Sequence, residues 1–441
     1  NEMSYTLKSL SLIIATFFAF ASVKGQDTVR ISEADLLKKL NDGNWKVKIA
    51  EQEYKAARAD YRQSHSLFLP HVELSYTAIS TTNPLMAFGS KLNQEILTMQ
   101  DFNPALLNDP DRTENFATEV SVNMPLINVD GLYKRKAAKV KMQAMQQKSA
   151  RTKEGMQLEL KKAYMTLQLS YEAIEVISKA VDMAESSVKM VQDYYAQGML
   201  QKPDLLQAQL RLQQLKTEKS AANNRLQDAS QQLAHMVNDS IGNSVYLPKD
   251  QLKTSIVQVD LQSNLPENRD DISAMFKAAD AYENMAKANK MSFVPRLNAF
   301  GRYQMYDDEI LQADADGYLL GVQLSWSLFK GYQNAALAQK SKIEYQIART
   351  EAEEYESLSK VEVNKVSRQV LLAQQKVSQQ KLAVEQASEA YKIRKDRFGE
   401  GLEKTTDLLM AENQLLQEEI GLLQAVFEFE ITQAYLAFLT K

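Results

Sequence analysis

Three histidines and no cysteine leave this chain few metal ligands beyond its carboxylates. His65, His71 and His235 are far apart and follow no zinc spacing, so each is expected on a surface or at a rim. No Gly-rich phosphate loop, His-Glu-x-x-His helix or nucleophile elbow occurs in the 441 residues. The densest acidic run, Asp307, Asp308, Glu309, Asp314 and Asp316, lacks the glycine placement of a calcium loop and reads as a solvated external loop. Bond-making chemistry is therefore not expected: no enzyme, no cofactor and no metal site. Any work the chain does must draw its energy from a partner.

The strongest pattern is instead apolar and periodic. Met156, Leu160, Ala163, Leu167, Ser170, Ile174, Ile177, Val181, Ala184, Val188, Val191 and Tyr195 keep unbroken 3-4 spacing, with Ser170 the one polar member. A seam repeating every ~3.5 residues is buried only along a partner helix, so a long coiled-coil element is expected. Moving 203 residues on from Ala163 gives the seam again, as Val366, Val370, Ala373, Val377, Gln380, Val384, Ala387 and Tyr391, continuing through Arg394 to Phe398. The chain is an internal duplication.

Composition agrees with long elements, since only 14 Gly and 9 Pro punctuate the chain. Apolar content of 44% with 24% charge and a mean hydropathy of -0.39 excludes a polytopic helical membrane protein and disorder. A net charge of -4, evenly spread, gives no footprint for nucleic acid. Lys8, the apolar stretch from Leu10 to Ala21 and small residues to Gly25 predict a signal peptide over 1–25. The other reading, a short membrane anchor, falls below the ~20 apolar residues a span needs. An exported chain without cysteine is expected to carry no disulfide and no cysteine-linked lipid.

In chain order, a first repeat is expected over 26–240. Ser32 to Leu69 is helical in composition, with Ser32 as N-cap and Pro70 as stop. A strand follows at about 72–80, where Val72, Leu74, Tyr76 and Ala78 alternate with Glu73, Ser75 and Thr77. Ser80 to Asn115 reads as a long loop, and a second strand runs at about 116–125. A long helix then spans about 132–197, on the order of 100 Å at ~1.5 Å per residue. Gly198 ends it, and Pro203-Asp204 starts a return helix reaching about Val237. After a connection over 241–266, a second repeat over 267–441 follows the same plan. Its strands fall at about 296–306 and 317–329, its long helix at about 331–398, and a last helix at about Thr406–Leu439.

Strands of this length, each with one apolar face, suit a membrane β-barrel, because lipid can cover that face when no edge is left unpaired. Half-buried hairpins in a soluble protein would need a packed layer that the coiled-coil helices are not free to supply. Four strands cannot close a barrel, for which ~8 is the usual minimum, so several copies must share one; three would give twelve strands. The opposite strand face is polar or small (Glu73, Ser75, Thr77, Glu119, Ser121, Gln323, Ser325), as a water-filled lumen requires. The fold class expected is an α+β membrane protein, a duplicated helix-strand-strand-long helix-helix unit. Its trimeric 12-stranded β-barrel is continued by an α-helical coiled-coil barrel.

This order resembles the TolC family of outer-membrane efflux and secretion channels over essentially the whole mature chain. Pro125-Leu126-Ile127 before Gly131, and Ser327-Leu328-Phe329-Lys330-Gly331, resemble the family's Pro-Leu-Phe-x-Gly turn. Asn268-Arg269-Asp270-Asp271-Ile272 resembles its Asn-Arg-Pro-Asp-Ile helix start without the proline. Tyr195-Ala196-Gln197-Gly198 through Asp204-Leu205-Leu206-Gln207-Ala208, and Phe398-Gly399-Glu400-Gly401 through Asp407-Leu408-Leu409-Met410-Ala411, resemble its Tyr-x-x-Gly to Asp-hydrophobic-Leu-x-Ala hairpin.

The resemblance implies a homotrimer in the outer membrane of a Gram-negative bacterium, with its helical part in the periplasm. Its hairpin tips would be closed at rest and would engage a periplasmic adaptor, or membrane fusion protein, fed by an inner-membrane transporter of the RND or ABC type. It further implies Asp407, Asp204, Tyr195 and Phe398 as pore-constriction or gate candidates, and Gly198, Met199, Gly401 and Leu402 as adaptor contacts. The glycines are also plain helix-end glycines, and Asp407 is also an acid favoured at a helix N-terminus. Phe398 stands where the family often has tyrosine, Glu403 where it has a basic residue and Met410 where it has a second acid. One acid per protomer is therefore expected at the constriction. A rival reading from another class is a periplasmic coiled-coil adaptor or scaffold that never enters a membrane.

Overall fold

The computed structural model describes residues 28–240, 244–252, 265–266 and 268–441. The expected signal peptide and most of the connection between repeats lie outside them. The first repeat holds β1 (Thr28–Ile31), α1 (Glu33–Gly43), α2 (Trp45–Gln63), β2 (His71–Thr81), α3 (Pro84–Asn93), α4 (Pro104–Asn108), β3 (Thr113–Ile127), α5 (Val129–Ala196) and α6 (Lys202–Met236). Then come β4 (Val245–Pro248), α7 (Asp270–Met291), β5 (Arg296–Asp307), β6 (Ala315–Ser325), α8 (Gln333–Gly399) and α9 (Thr405–Leu439). The architecture is α+β, and its order repeats.

Two compact units form, each drawing matching parts from both repeats. Of the described residues, one holds 49–151 and 268–358; the other holds 28–48, 152–240, 244–252, 265–266 and 359–441.

The helical unit is built by the seams. Leu160, Ala163 and Leu167 of α5 are buried against Leu226, Ala229 and Leu233 of α6, together with Leu36 and Leu40 of α1. Their counterparts Val366, Val370, Ala373 and Val377 of α8 are buried against Ala425, Val426 and Phe429 of α9. The expected single helix from Ser32 breaks at Asn44, which is buried: it accepts a bond from Val47 N at 3.1 Å and donates to Met236 O at 2.7 Å. Gly43 is needed beside it, since a Cβ there would lie 2.3 Å from Val237 O. β1 pairs in parallel with β4 across more than 200 residues, tying the start of the first repeat to the connection that follows it.

The other unit is built around one antiparallel sheet of order β2-β3-β5-β6. The central pair β3-β5 joins the repeats, Val120 opposite Tyr303 and Val122 opposite Gly301. Because directly opposed residues share a face, Leu74, Val120, Tyr303 and Tyr318 form one apolar rung, with Val72, Val122, Gly301 and Leu320 beside it. The region from Ser80 to Asn115, expected as loop, contains α3 and α4. Asn83 and Asn103 cap them, each side chain accepting from backbone N–H groups at 3.0–3.2 Å, with Pro84 and Pro104 in the first helical position. Pro84 and Pro104 start helices instead of breaking a loop. The second long helix begins at Gln333 rather than 331 because Gly331 and Tyr332 both hold positive φ.

Candidate conduit face and hairpin tips

The second face of the sheet carries Glu73, Ser121 and Arg302 on one rung and Ser75, Glu119 and Gln304 on the next. Gln304 Nε2 donates to Glu119 Oε2 at 2.6 Å. Phe300, the aromatic that interrupts this polar alternation, lies over Gly321, where a Cβ would come 2.6 Å from the ring. A glycine opposite lets the ring lie flat on the sheet. His71 starts β2 on this face, 3.9 Å from Glu73; His65 packs edge-on to Tyr61, and His235 is exposed in the last turn of α6. Among the described residues no cluster could hold a metal ion.

Where the sheet meets its helices, an ion-paired acid fixes the joint. Asp130, in the first turn of α5 and buried, accepts from Arg296 Nη2 at 2.5 Å and Nε at 3.0 Å, and from Lys134 at 3.0 Å. Burial pushes its carboxyl up, but the Arg296 and Lys134 hydrogen bonds outweigh that and hold it below the usual value of 3.8.

In the helical unit the two hairpins turn by the same device. Gly198 (φ +73°) donates to Tyr195 O at 2.9 Å while Met199 N donates to Tyr194 O at 2.9 Å. Gly401 (φ +71°) donates to Phe398 O at 3.0 Å while Leu402 N donates to Arg397 O at 2.9 Å. These paired bonds end a helix on a left-handed residue, so both glycines are conformationally required. The next residues, Met199 and Leu402, are exposed.

The candidates from sequence separate here. Tyr195 is exposed, whereas its counterpart Phe398 is fully buried among Val191, Ala208, Leu408 and Leu415. The tyrosine that bonds across the hairpins is Tyr194, whose hydroxyl donates to Gly399 O at 2.7 Å and whose ring lies 5.7 Å from Phe398. Asp204 accepts from Gln201 N at 3.1 Å in a capping box. Asp407 makes no such bond: its helix starts on Lys404 without a side-chain cap. Together with Arg211, Arg394, Met410 and Gln414 it lines a groove of about 740 Å³ between α6, α8 and α9.

Two groups at the tips were not legible in the sequence. Glu403 is clamped by Arg394 at 2.8 Å and Arg397 at 2.9 Å, both arginines of its own hairpin. The spacing of these arginines, on successive turns before an acid at the turn, was the available signal. Deeper in, Ser187 donates to Glu412, both of them buried. Burial pushes the Glu412 carboxyl up against the pull of Ser187, Arg211 and Lys395, and burial beside Glu412 pushes Tyr391 up to about 12.

A four-stranded sheet with one apolar and one polar face, continuous in sequence with paired long helical hairpins, is the plan of an outer-membrane channel subunit. The outer membrane efflux protein family matches residues 36–239 and 261–440, most of the chain, and the chain belongs to that family. It is an outer-membrane efflux channel protein of a Gram-negative bacterium and not an enzyme. Its fold is similar to a membrane protein from Pseudomonas aeruginosa (TM-score 0.79, 16% identity, 94% of each chain). It is also similar to the outer membrane protein VceC of Vibrio cholerae (TM-score 0.77, 18% identity, 92% of this chain and 96% of that one). A third is the MtrE outer membrane channel of Neisseria gonorrhoeae in its open state (TM-score 0.74, 14% identity, 92% and 88%). Comparison with curated proteins by sequence gives no match.

Proposed function

We propose that this chain is the outer-membrane component of a tripartite efflux pump or a type I secretion system. It acts as a passive, gated export duct for small molecules or polypeptides, driven by an inner-membrane transporter of the RND or ABC type through a periplasmic adaptor. The observation that carries this reading is the open sheet. Among the described residues β2 and β6 each leave one edge unpaired, and an unpaired edge is not tolerated in lipid. Because strand directions alternate along β2-β3-β5-β6, β6 of one copy meets β2 of the next antiparallel, and three copies close a barrel of twelve strands around the polar face. The repeats 26–240 and 267–441 then act as six near-equivalent segments about one axis.

At the tips, exposed Met199 and Leu402, held by Gly198 and Gly401, offer the adaptor an apolar contact. Asp407 supplies one uncapped carboxylate per protomer to the constriction. The soluble-scaffold alternative leaves Leu74, Tyr318, Leu320 and Val322 with no cover. The chain's lack of cysteine allows a direct test: Leu320→Cys combined in turn with single cysteines along β2. Oxidation of intact cells should yield a ladder ending at a covalent trimer. Monomer at every position, in a soluble fraction, would overturn the proposal.

A further inference from the structure

The helical side of the sheet carries a charge pattern that the conduit does not use. In the stretches adjoining the four strand ends there, residues 55–70, 126–139, 284–295 and 326–342, the only acids are Asp60 and Asp130. Both are already ion-paired, Asp60 with Lys141 at 3.6 Å and Asp130 with Arg296 and Lys134. The cations there include Arg58, Arg62, Lys136, Lys290 and Lys330, all exposed and, among the described residues, without an ion pair. At the opposite sheet end the sign reverses: residues 307–316 hold five acids and no cation. Aromatics stand in the same stretches as the cations. Trp326 Nε1 donates to Phe293 O at 2.9 Å, Phe329 packs edge-on to Tyr332 at 5.7 Å, and Arg135 lies 6.0 Å from the rings of both Tyr61 and Phe68.

We propose that this basic, aromatic collar binds the phosphodiester headgroups of anionic phospholipids in the periplasmic leaflet of the outer membrane. It is continuous with the apolar face that lipid covers, and its charge complements an anionic leaflet surface. Lys290 lies in the last turn of α7 and Lys330 between β6 and α8, within the few ångströms that the headgroup layer adds to the hydrocarbon core. Lys136 lies seven residues into α5, about 10 Å along it, within reach of its own side chain and of the unscreened field. The uncharged replacements with which such a belt is emptied leave the sheet's two faces untouched.

The inference rests on the sheet crossing the membrane, and the experiment separates the two. The full chain carrying Trp45→Phe keeps Trp326 as its single indole. It is reconstituted in phosphatidylcholine vesicles containing 20% brominated phosphatidylglycerol or 20% brominated phosphatidylcholine, and quenching of Trp326 is compared. The expected result is quenching by both lipids, with phosphatidylglycerol enriched roughly fivefold per engaged cation at low salt and the preference fading at high salt. Substituting Arg62, Lys136, Lys290 and Lys330 by Gln should abolish the preference while leaving quenching by phosphatidylcholine unchanged. Equal quenching by the two lipids, or a preference that survives the four substitutions, overturns the collar. No quenching by either would overturn the membrane reading itself.

Discussion

Replacing Val322 by arginine tests the assignment of sheet faces most directly. Val322 is 63% exposed in the single chain and lies opposite Ala299, between Leu320 and Leu324 on the apolar face. Trp326, anchored on Phe293 O, marks the periplasmic end of that face. An apolar band ~25 Å tall has its middle ~12 Å above this level. A strand rising ~3.3 Å per residue and tilted ~45° climbs ~2.3 Å per residue, so the middle lies about five residues before Trp326, beside Val322. An arginine there costs ~2–4 kcal/mol per copy, and three copies in a shared barrel cost ~6–12 kcal/mol, which is as large as the stability of a whole domain. The same arginine one residue on, at Gln323, points to the polar face opposite Asn298 and should cost less than ~0.5 kcal/mol. The assay is the fraction of heat-resistant oligomer in isolated outer membranes, with urea titration in vesicles for the energies. V322R should lose most assembly and Q323R should keep it. Equal behaviour of the two variants, assembled or not, refutes the alternation on which the channel reading stands.

Other consequences attach to single groups. Asp130→Asn leaves Arg296 and Lys134 without their acid and should cost ~1–3 kcal/mol at neutral pH, discounted because Arg296 is half exposed. The carboxyl of Asp130 is held below its ordinary value in the fold, so its stabilisation is present above pH ~4 and lost as pH falls further; thermal unfolding of the variant should lack that acid-limb loss. Glu412 has the opposite sign: its raised carboxyl favours the fold below its ordinary value and loses that contribution as pH rises through the shifted one. Glu412→Gln should therefore raise the midpoint at pH 8 and give no gain at pH 4, and an equal gain at both would exclude titration as the cause. Asp407→Ala should raise single-channel conductance or relieve block by multivalent cations. Asp204→Ala should instead cost about 1 kcal/mol of helix stability and leave conductance unchanged.

The parts of this fold that were legible from sequence are those with a period. The seam from Met156 and its copy 203 residues on predict which side chains are buried along α5 and α8, and alternation predicts the faces of the sheet. The elements that escaped have no period. α3 and α4 run 10 and 5 residues, too short for a periodic signal, and their Asn-Pro starts are indistinguishable from turns without the backbone they cap. β1 and β4 are four residues each and meet across the whole first repeat. The tips were legible only in outline. Tyr195 and Phe398 occupy one position of one seam, yet the first is exposed and the second buried, because burial there depends on how the two hairpins pack against each other.

That divergence bears on the gate proposed for the tips. The two hairpins share their turn geometry to the hydrogen bond, so the backbone of one predicts that of the other. They differ in the residues that start the return helix. The Gln201 backbone N–H donates to Asp204, which fixes that carboxylate on its own helix. Lys404, at the matching position, has no acceptor to offer, and the adjoining Glu403 is taken up by Arg394 and Arg397. Asp407 is left, among the described residues, without a side-chain bond at the start of its helix. In the second hairpin the helix start thus lacks a bond worth about 1 kcal/mol, and the Asp407 carboxylate is left for the constriction role proposed for it. The first hairpin keeps the cap, and with it the stability of the tip. With Asp407 at the constriction as proposed, an assembly of three such chains presents three uncapped carboxylates and three capped ones around its axis, rather than six equivalent charges that would repel one another.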